Sequence, residues 1–301
     1  MNIFGVVNIN AGQAEDSEAF RRELRDRLAG AGLTGEVRFG RGEELAGAMT
    51  AAAASGAEVL LAGGGDGTIH YAAQAAVEAD MTLAVLPMGT INLLARDLGL
   101  PVRWREAVDV LPLCTPVLID TAEVNGHPFL SQSTIGLVPR LARQREQIRG
   151  RGWLGGLAAL PVRLVKSVLH ARKRTLELRL EDHTHAIRTW MVVVTNNRPD
   201  KPLTVMLQRS RLDRGCLTVH WSDVRTRAGL LGLLAAYVSG CIGLTRHVAT
   251  RESATVEIAS TIPVIDVAVD GEILRMASPL RYRIHPRSLR VLMAPRKQAQ
   301  P

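Results

Sequence analysis

The sequence predicts an N-terminal α/β domain with a parallel sheet, followed by a second domain of mainly antiparallel strands arranged as a β-sandwich. The chain has 301 residues, which is more than one hydrophobic core usually serves. Strand and helix patterns alternate with short links over residues 1–115, which favours a parallel sheet covered by helices on both faces. Short strand-like runs separated by turns fill residues 116–301, and this spacing is typical of a sandwich.

The elements of the first domain follow from apolar runs for strands and longer amphipathic or Ala-rich segments for helices. The predicted strands are 3–7, 37–39, 59–62 and 82–86. The predicted helices are 17–28, 43–54, 69–78 and 93–98. A parallel sheet of this kind brings the carboxyl ends of its strands to one edge, where ligands bind.

The second domain is predicted to begin after a Pro-rich linker near residue 115. Asn125-Gly126 is the strongest short signal for a hairpin turn, and it separates strand 117–124 from a return strand at 129–131. The further predicted strands are 175–180, 190–195, 217–221, 255–258, 264–269, 280–284 and 288–292.

The composition is that of a globular protein, with 47% hydrophobic and 22% charged residues. The cysteines Cys114, Cys216 and Cys241 lie far apart, form no even set and lack metal-ligand spacing, which suits a reducing compartment. The first residues have no basic region and too short an apolar run for a signal peptide. These features predict a cytoplasmic protein.

Charge is distributed unevenly along the chain. Residues 1–115 contain 9 Lys and Arg against 15 Asp and Glu, whereas residues 116–301 contain 28 against 14. A basic second half indicates an anionic partner, for which a phospholipid surface and nucleic acid both qualify, unless it only reflects an Arg-rich composition. No helix-turn-helix or RNA-binding signature accompanies it, so we expect no nucleic acid partner.

Two glycine turns follow neighbouring strands of the first domain. The first turn consists of Gly63, Gly64, Gly65, Asp66, Gly67 and Thr68. The second contains Gly89, Thr90 and Asn92 after Pro87. Glycines at a helix start let the backbone approach a phosphate closely, and free N–H groups favour its charge, although a single such turn is also an ordinary connection. The Asp66 carboxylate would repel a phosphate, so its presence in this turn indicates either a bound cation or a role in proton transfer.

Gly-Gly-Asp-Gly-Thr at 64–68 followed by Pro-x-Gly-Thr-x-Asn at 87–92 resembles the diacylglycerol kinase catalytic-domain family, which includes bacterial lipid kinases and sphingosine kinases. The first motif alone is also similar to the phosphofructokinase and NAD kinase superfamily. After the first strand, Asn8, Ala11 and Gly12 keep the family's pattern with Ile9 in place of its proline. Asn8 therefore has either a phosphate or ribose contact or only a turn cap.

The resemblance implies the site residues and the cofactors ATP and Mg²⁺. The implied nucleotide-binding residues are Asn8, Gly12, Gly63, Gly64, Gly65, Asp66, Gly67, Thr68, Gly89, Thr90 and Asn92. Asp66 is the implied metal ligand. Asp270-Gly271-Glu272 resembles the family's Asp-Gly-Glu, which makes Glu272 the implied base, alongside Asp66 as the second catalytic residue; in isolation these residues are an ordinary hairpin turn. The resemblance also implies that strand 288–292 returns to the first domain.

Three departures from the family pattern leave the lipid substrate and the level of activity open. Tyr71 and Leu93 stand where relatives commonly have Glu and Asp, and Arg214 stands where relatives have an aspartate that holds a structural magnesium. An arginine cannot ligate a cation, so we predict no metal there.

Two segments are candidates for contact with a membrane. Apolar residues at helical spacing over 153–168 are surrounded by Arg and Lys, which is typical of a basic amphipathic helix or of core packing. Residues 228–245 are 18 uncharged positions, a length just sufficient to span, but four glycines favour a core or interfacial helix.

The predicted function is an ATP-dependent lipid kinase that transfers the γ-phosphate to a hydroxyl of diacylglycerol or a related lipid, at the periphery of an anionic membrane. The alternatives are a soluble-substrate kinase of the NAD kinase type and a nucleotide-binding regulatory protein without transfer activity. The sequence leaves the oligomeric state open, with a homodimer as one option.

Overall fold

The computed structural model describes residues 1–137, 168, 171–181, 183–200, 207–239 and 248–295. The chain divides into two compact units, residues 1–121 with 286–301, and residues 122–285. The division falls a few residues beyond the predicted boundary at 115, because the strand Thr115–Val124 begins in the first unit and continues into the second.

The strands are numbered in chain order. They are β1 (Asn2–Asn8), β2 (Thr34–Gly40), β3 (Val59–Gly64), β4 (Thr82–Pro87), β5 (Thr115–Val124), β6 (His127–Phe129), β7 (Gln132–Gly136), β8 (Arg174–Leu180), β9 (His183–Thr189), β10 (Met191–Asn196), β11 (Leu217–Ser222), β12 (Val248–Ser253), β13 (Thr255–Ser260), β14 (Val264–Val269), β15 (Glu272–Ala277) and β16 (Leu280–Met293).

The helices of the described residues are also numbered in chain order. They are α1 (Glu18–Gly30), α2 (Glu43–Ala53), α3 (Asp66–Glu78), α4 (Leu93–Asp97), α5 (Trp104–Val110) and α6 (Arg227–Ser239), with a 3₁₀ turn at Leu111–Leu113.

The first unit contains the parallel sheet that the strand–helix alternation predicts. β1 pairs in parallel with β2 and β3, and β3 pairs in parallel with β4. Every residue of β3 and β4 is buried, as expected for apolar strands covered on both faces. The end of β16 adds a further parallel strand through Val291, the partner of Leu83.

Helix α1 shows how a local pattern produces an element of this unit. The Ser17 side chain accepts a hydrogen bond from the Phe20 N–H and caps the helix, while Phe20, Leu24 and Leu28 form its buried stripe.

The second unit consists of two antiparallel sheets, as predicted for a sandwich. One sheet has the order β12-β11-β10-β7-β14-β15, and the other includes β16-β13-β8-β9. Side chains from both sheets form one apolar core, with Val192, Val219 and Val267 from the first and Leu178 and Ile258 from the second. Burial of this shared core holds the two layers together.

The hairpin predicted from Asn125-Gly126 joins β5 to β6. Asn125 and Gly126 have φ values of +48° and +81°, a backbone conformation that asparagine and glycine adopt more readily than other residues.

The C-terminal strands differ from the prediction. The runs 280–284 and 288–292 form the single strand β16 instead of two. Pro286 suggests a break because it has no N–H, but Arg287 takes a positive φ of +51° and its N–H donates to Asp120 Oδ1 at 2.8 Å. The chain therefore continues in the same strand from one unit into the other.

Several short elements carried too weak a pattern to be predicted from the sequence. They are α5, β7, β9, β12 and β15. Helix α3 was predicted but begins three residues earlier than expected, at Asp66 instead of residue 69. The end of the glycine motif therefore forms its first helical turn.

The two predicted membrane segments are only partly described. Of 153–168, all but residue 168 lies outside the described residues, and of 228–245 the structure describes the part within α6. Within the described ranges, no helix is both long enough and apolar enough to cross a bilayer.

Candidate functional site

The turn between β3 and α3 presents a helix N-terminus at the carboxyl edge of the parallel sheet. Gly65 precedes the helix with an extended backbone, and Asp66, Gly67 and Thr68 form its first turn. The first N–H groups of a helix have no partner within it, and the helix dipole favours negative charge beside them. This end of α3 can therefore bind a phosphate group.

The two glycine turns lie against each other. A Cβ on Gly89 would be 2.6 Å from the Cα of Gly65, and a Cβ on Gly64 would collide with the Thr68 side chain. A Cβ on Gly63 would be 3.1 Å from Val7 Cγ2. Gly64 and Gly89 therefore leave no room for a Cβ, whereas a Cβ at Gly63 would make a tight contact with the Val7 side chain.

Gly67 differs from those glycines because no heavy atom of the protein lies within 4 Å of the place where its Cβ would be. It is exposed on the first turn of α3. Gly12 is similar, since only the Met88 carbonyl oxygen, at 3.7 Å, would contact its Cβ. Space at these two positions is available to a ligand.

The Asp66 carboxylate joins the two turns. Its Oδ1 accepts a hydrogen bond from the Leu93 N–H at 2.7 Å, and its Oδ2 accepts one from the Asn92 N–H at 3.1 Å. Both donors belong to the start of α4. Hydrogen bonds from N–H groups to a charged carboxylate are stronger than those to a neutral acceptor, so Asp66 ties the first turn firmly to the second. A carboxylate in this anion site thus has a structural explanation that does not require a cation.

Asn92 shapes the second turn from inside. Its backbone is left-handed with φ +54° and ψ +54°. Its Oδ1 accepts from the Gly89 N–H and its Nδ2 donates to the Gly89 carbonyl, both at 2.9 Å. Because both ends of the amide are used within the turn, Asn92 positions Gly89; a direct contact of Asn92 with nucleotide stays a prediction. Thr90 is exposed beside it.

Asn8 links the end of β1 to the same site. Its Nδ2 donates to Thr68 Oγ1 at 2.9 Å, and its Oδ1 accepts from the Asn10 N–H at 2.9 Å. The turn-capping role of Asn8 is therefore present together with a contact to the glycine motif. Asn8 at the end of β1 therefore contacts Thr68 after β3, and Asp66 of the same motif bonds the turn after β4.

In the second unit, the Asp-Gly-Glu motif forms the tight turn between β14 and β15. Asp270 and Gly271 have φ values of +45° and +95°. The Asp270 carboxylate accepts hydrogen bonds from the N–H groups of Leu130, Ser131 and Gln132 at 2.7, 2.9 and 3.0 Å. Asp270 thus fixes the turn, and Glu272 is exposed at the first position of β15.

A buried arginine supports the segment that Asp270 binds. Arg209 is 1% exposed, and its Nη1 donates to the carbonyls of Leu130 and Asn196 at 2.6 and 2.8 Å. Asn196 Nδ2 donates to the same Leu130 carbonyl at 3.0 Å. The sequence does not indicate this network, because Arg209 stands between polar residues and resembles an exposed basic position.

Arg214, which stands where relatives have an aspartate, lies in a segment held by hydrogen bonds and an ion pair. The Arg214 N–H donates to Asn197 Oδ1 at 2.9 Å, and the neighbouring Asp213 pairs with Arg211 at 3.1 Å. In the part of the chain that the structure describes, no group of three or more His, Cys, Asp or Glu side chains could hold a metal ion.

The predicted site residues thus fall into two groups. The first unit brings together Asn8, Thr68, Asp66, Gly89 and Asn92. Glu272 belongs to the second unit. Its convergence with Asp66 stays a prediction.

Comparisons with known proteins support the assignment that these motifs suggested. The family model of the diacylglycerol kinase catalytic domain matches residues 2–124. The chain is 31% identical over 244 residues to a Pseudomonas aeruginosa protein named "Probable lipid kinase YegS-like", and the match covers 80% of this chain and 78% of that protein. A Pseudomonas syringae pv. syringae protein of the same name is 29% identical over 247 residues, covering 81% and 78%.

A solved structure shows the same fold. The crystal structure of a diacylglycerol kinase from Bacillus anthracis strain Sterne matches with a TM-score of 0.70 and 17% identity, over 98% of this chain and 97% of that one. On its sequence relatives and its paired glycine motifs, the chain belongs to the diacylglycerol kinase catalytic-domain family, among the YegS-like lipid kinases.

Proposed function

We propose that the protein is an ATP- and Mg²⁺-dependent kinase that transfers the γ-phosphate to a hydroxyl of diacylglycerol or a related lipid. The observation that carries the proposal is the Asp66 carboxylate, which holds the two glycine turns together beside the N-terminus of α3. Such an arrangement suits the phosphates of a nucleotide, because N–H groups, glycine backbone and hydroxyls meet at one edge of the sheet.

The residues of the first unit have distinct parts in holding the nucleotide. The first N–H groups of α3 donate hydrogen bonds to phosphate oxygens. Because Gly67 has no side chain, the phosphate can approach the backbone closely. Thr68 Oγ1 accepts from Asn8, so its own proton is directed to an acceptor elsewhere, such as a phosphate oxygen. Thr90 and the space at Gly12 complete the proposed contact surface.

Asp66 fits the proposed metal. Its two oxygens accept hydrogen bonds from backbone N–H groups at the start of α4, which fixes the orientation of the carboxylate. Magnesium usually keeps several waters and takes one or two carboxylates together with substrate phosphates, so a single protein carboxylate is sufficient. When bound, the metal neutralises charge that develops on the transferred phosphoryl group.

Glu272 is the proposed base. A hydroxyl that attacks phosphorus loses its proton during transfer, and a carboxylate within hydrogen-bond reach can accept it. The side chain is exposed, while Asp270 fixes the turn that carries it through three backbone bonds. A rigid turn beneath an accessible carboxylate suits such a role.

The test is phosphoryl transfer from γ-labelled ATP with Mg²⁺, in the presence of mixed-lipid vesicles and NAD, followed by organic extraction. Label in the organic phase supports the lipid kinase. Label on NAD supports the soluble-substrate alternative. Nucleotide binding without any transfer supports the regulatory protein that Tyr71, Leu93 and Arg214 suggest. Mass spectrometry of the labelled lipid then identifies the acceptor.

Gly67→Ala is expected to weaken ATP binding by about tenfold, because the added methyl group occupies space that the phosphates use. The protein itself offers this methyl no clash, since no heavy atom lies within 4 Å. Alanine also suits a helix better than glycine, so the melting temperature should stay the same or rise. Equilibrium nucleotide titration and thermal unfolding measure the two effects separately.

Gly47→Ala is the matched control for this substitution. Gly47 is an exposed glycine within α2, and its Cβ would also meet no heavy atom within 4 Å. The control should gain helix stability and keep wild-type ATP affinity. Unchanged affinity in both variants would remove the α3 turn from the nucleotide site.

Binding to anionic vesicles is expected to weaken as salt rises. Residues 116–301 contain 28 Lys and Arg against 14 Asp and Glu, and attraction of exposed cations to a phospholipid surface is screened over about 10 Å at 0.1 M ionic strength. Co-sedimentation with vesicles of anionic and of neutral lipid checks this. Binding that is independent of salt and equal on both surfaces would contradict an electrostatic contact.

A further inference from the structure

One sheet of the second unit carries a row of polar side chains on the face opposite the shared core. In β10, Val192 and Val194 belong to the core between the two sheets, so Val193 points to the other face. Thr134 and His220 are the residues paired with Val193 on either side, and paired residues share a face. Thr218 lies two positions before His220 and therefore shares that face as well.

Three buried polar atoms on this face have no hydrogen-bond partner among the described residues. They are Thr134 Oγ1, Thr218 Oγ1 and His220 Nε2. The residues that carry them are 3%, 0% and 2% exposed, respectively. Buried polar groups without a partner are rare and costly, and each indicates a water or a ligand atom that completes it.

Apolar side chains lie beside the Val193 end of this row, whereas Thr195 and Glu252 are the cross-strand partners of Thr218. Met191 and Val193 on the same sheet face form a cluster with Leu230 and Leu233 of α6. A ligand in contact with this face therefore buries hydrocarbon and also offers hydrogen bonds at a few points. That combination describes a lipid more closely than a sugar or a nucleotide.

The three atoms suit uncharged partners. His220 Nδ1 bonds Thr250 Oγ1 at 2.9 Å, which leaves Nε2 as the second hydrogen-bonding atom of the ring. Burial, with a smaller contribution from the charge of Arg198, lowers the pKa of His220 to about 4, so the ring is neutral at physiological pH. A neutral imidazole and two threonine hydroxyls carry no charge themselves, so they suit an uncharged group.

The spacing of the three atoms indicates two points of contact. Thr218 and His220 are two residues apart on one strand, with Cα atoms about 7 Å apart, whereas Thr134 lies two strands away, at about 10 Å. One ligand atom cannot reach both ends of the row. Two hydrogen-bonding groups on one molecule can.

We propose that this face binds a lipid through two uncharged carbonyl groups, such as the two ester carbonyls of a diacylglycerol, with Thr218 and His220 at one and Thr134 at the other. The inference deepens the proposed function, because it rests on a lipid acceptor and names the groups by which that acceptor is recognised. It assigns to these three residues the preference for an ester lipid over one that lacks carbonyls.

The test compares the binding of dioctanoylglycerol with that of the dioctyl ether of glycerol, which has the same free hydroxyl and no carbonyl. Binding is measured without nucleotide, by titration calorimetry on the full chain. The wild-type protein should bind the ester about tenfold more tightly, since one or two net hydrogen bonds have this effect. Thr218→Val combined with Thr134→Val should lower this ratio markedly, because one carbonyl loses its contact and only His220 is left at the other. Valine keeps the shape of threonine and removes only an unpartnered hydroxyl, so the fold should persist.

Thr195→Val is the matched control. Thr195 is a buried threonine of β10 on the same sheet face, but its hydroxyl already donates to the Asn197 carbonyl at 2.9 Å. This variant should keep the ester preference. The side-chain ¹⁵N resonances of His220 should also shift with the ester and less with the ether.

Other outcomes overturn the inference. A wild-type ratio near one removes the three residues from recognition, and an undiminished ester preference in the double variant removes the two threonines. His220 resonances that respond to neither lipid indicate a buried water only. Failure of the proposed function gives a different result. Carbonyl-dependent binding without phosphoryl transfer would contradict the kinase and leave this inference standing. Equal transfer to both lipids without a binding preference would support the kinase and contradict this inference.

Discussion

Glu272→Gln is expected to lower phosphoryl transfer by roughly 10²–10⁴-fold and to leave ATP affinity nearly intact. The substitution keeps size and polarity but removes the basic oxygen that accepts the substrate proton. Glu272 is exposed at the start of β15, so its replacement should cost little stability. Single-turnover transfer to lipid and equilibrium nucleotide binding measure the two effects independently.

Glu257→Gln provides the comparison, because it removes an equivalent charge elsewhere in the second unit. Glu257 pairs with Arg179 and Arg281 at 3.1 Å each, and exposed ion pairs of this kind contribute little. The activity of the Glu257→Gln variant should therefore match that of the wild-type protein. If Glu272→Gln also retains wild-type transfer, Glu272 is not the base.

Asp270→Asn separates the base from the turn that carries it. Asparagine can accept with only one oxygen, whereas Asp270 uses two to accept from Leu130, Ser131 and Gln132. We therefore expect a lower melting temperature for this variant, in contrast to Glu272→Gln. A loss of activity that accompanies unfolding would assign Asp270 to the structure and leave the chemistry to Glu272.

Local patterns predicted the parts of the fold that depend on neighbours in the sequence. Apolar runs identified β3 and β4, and Asn125-Gly126 identified a hairpin, because burial and turn conformation are local requirements. The same patterns failed at Pro286, where a partner far along the chain, Asp120, receives the N–H of the next residue and lets β16 continue.

The candidate site also contains features that the sequence predicted and contacts that it did not. The glycines and their order were visible in the sequence, since a close backbone approach demands them. The partners of the polar side chains were not, because Asp66 bonds residues 26 and 27 positions away and Arg209 bonds Leu130 across 79 positions. Whether a carboxylate in an anion site faces a cation or backbone N–H groups depends on such distant contacts.

Asp66→Asn is expected to lower turnover by roughly 10²-fold or more while nucleotide binding weakens less. Two causes contribute. The substitution removes the carboxylate proposed to organise Mg²⁺, and it replaces one oxygen that accepts from Asn92 or Leu93 with an amide NH₂ that cannot accept. Turnover, ATP affinity and thermal stability of the variant should each be measured over a range of Mg²⁺ concentrations.

Asn92→Ala distinguishes the two causes. It removes both bonds to Gly89 and places alanine at a φ of +54°, so it disturbs the second turn without removing a carboxylate. If Asp66 holds the metal, only Asp66→Asn should raise the Mg²⁺ concentration needed for half-maximal activity, although both variants lose nucleotide affinity. An equal Mg²⁺ requirement in the two variants and the wild type would assign Asp66 to the joining of the turns alone, and an unchanged turnover would remove it from the mechanism.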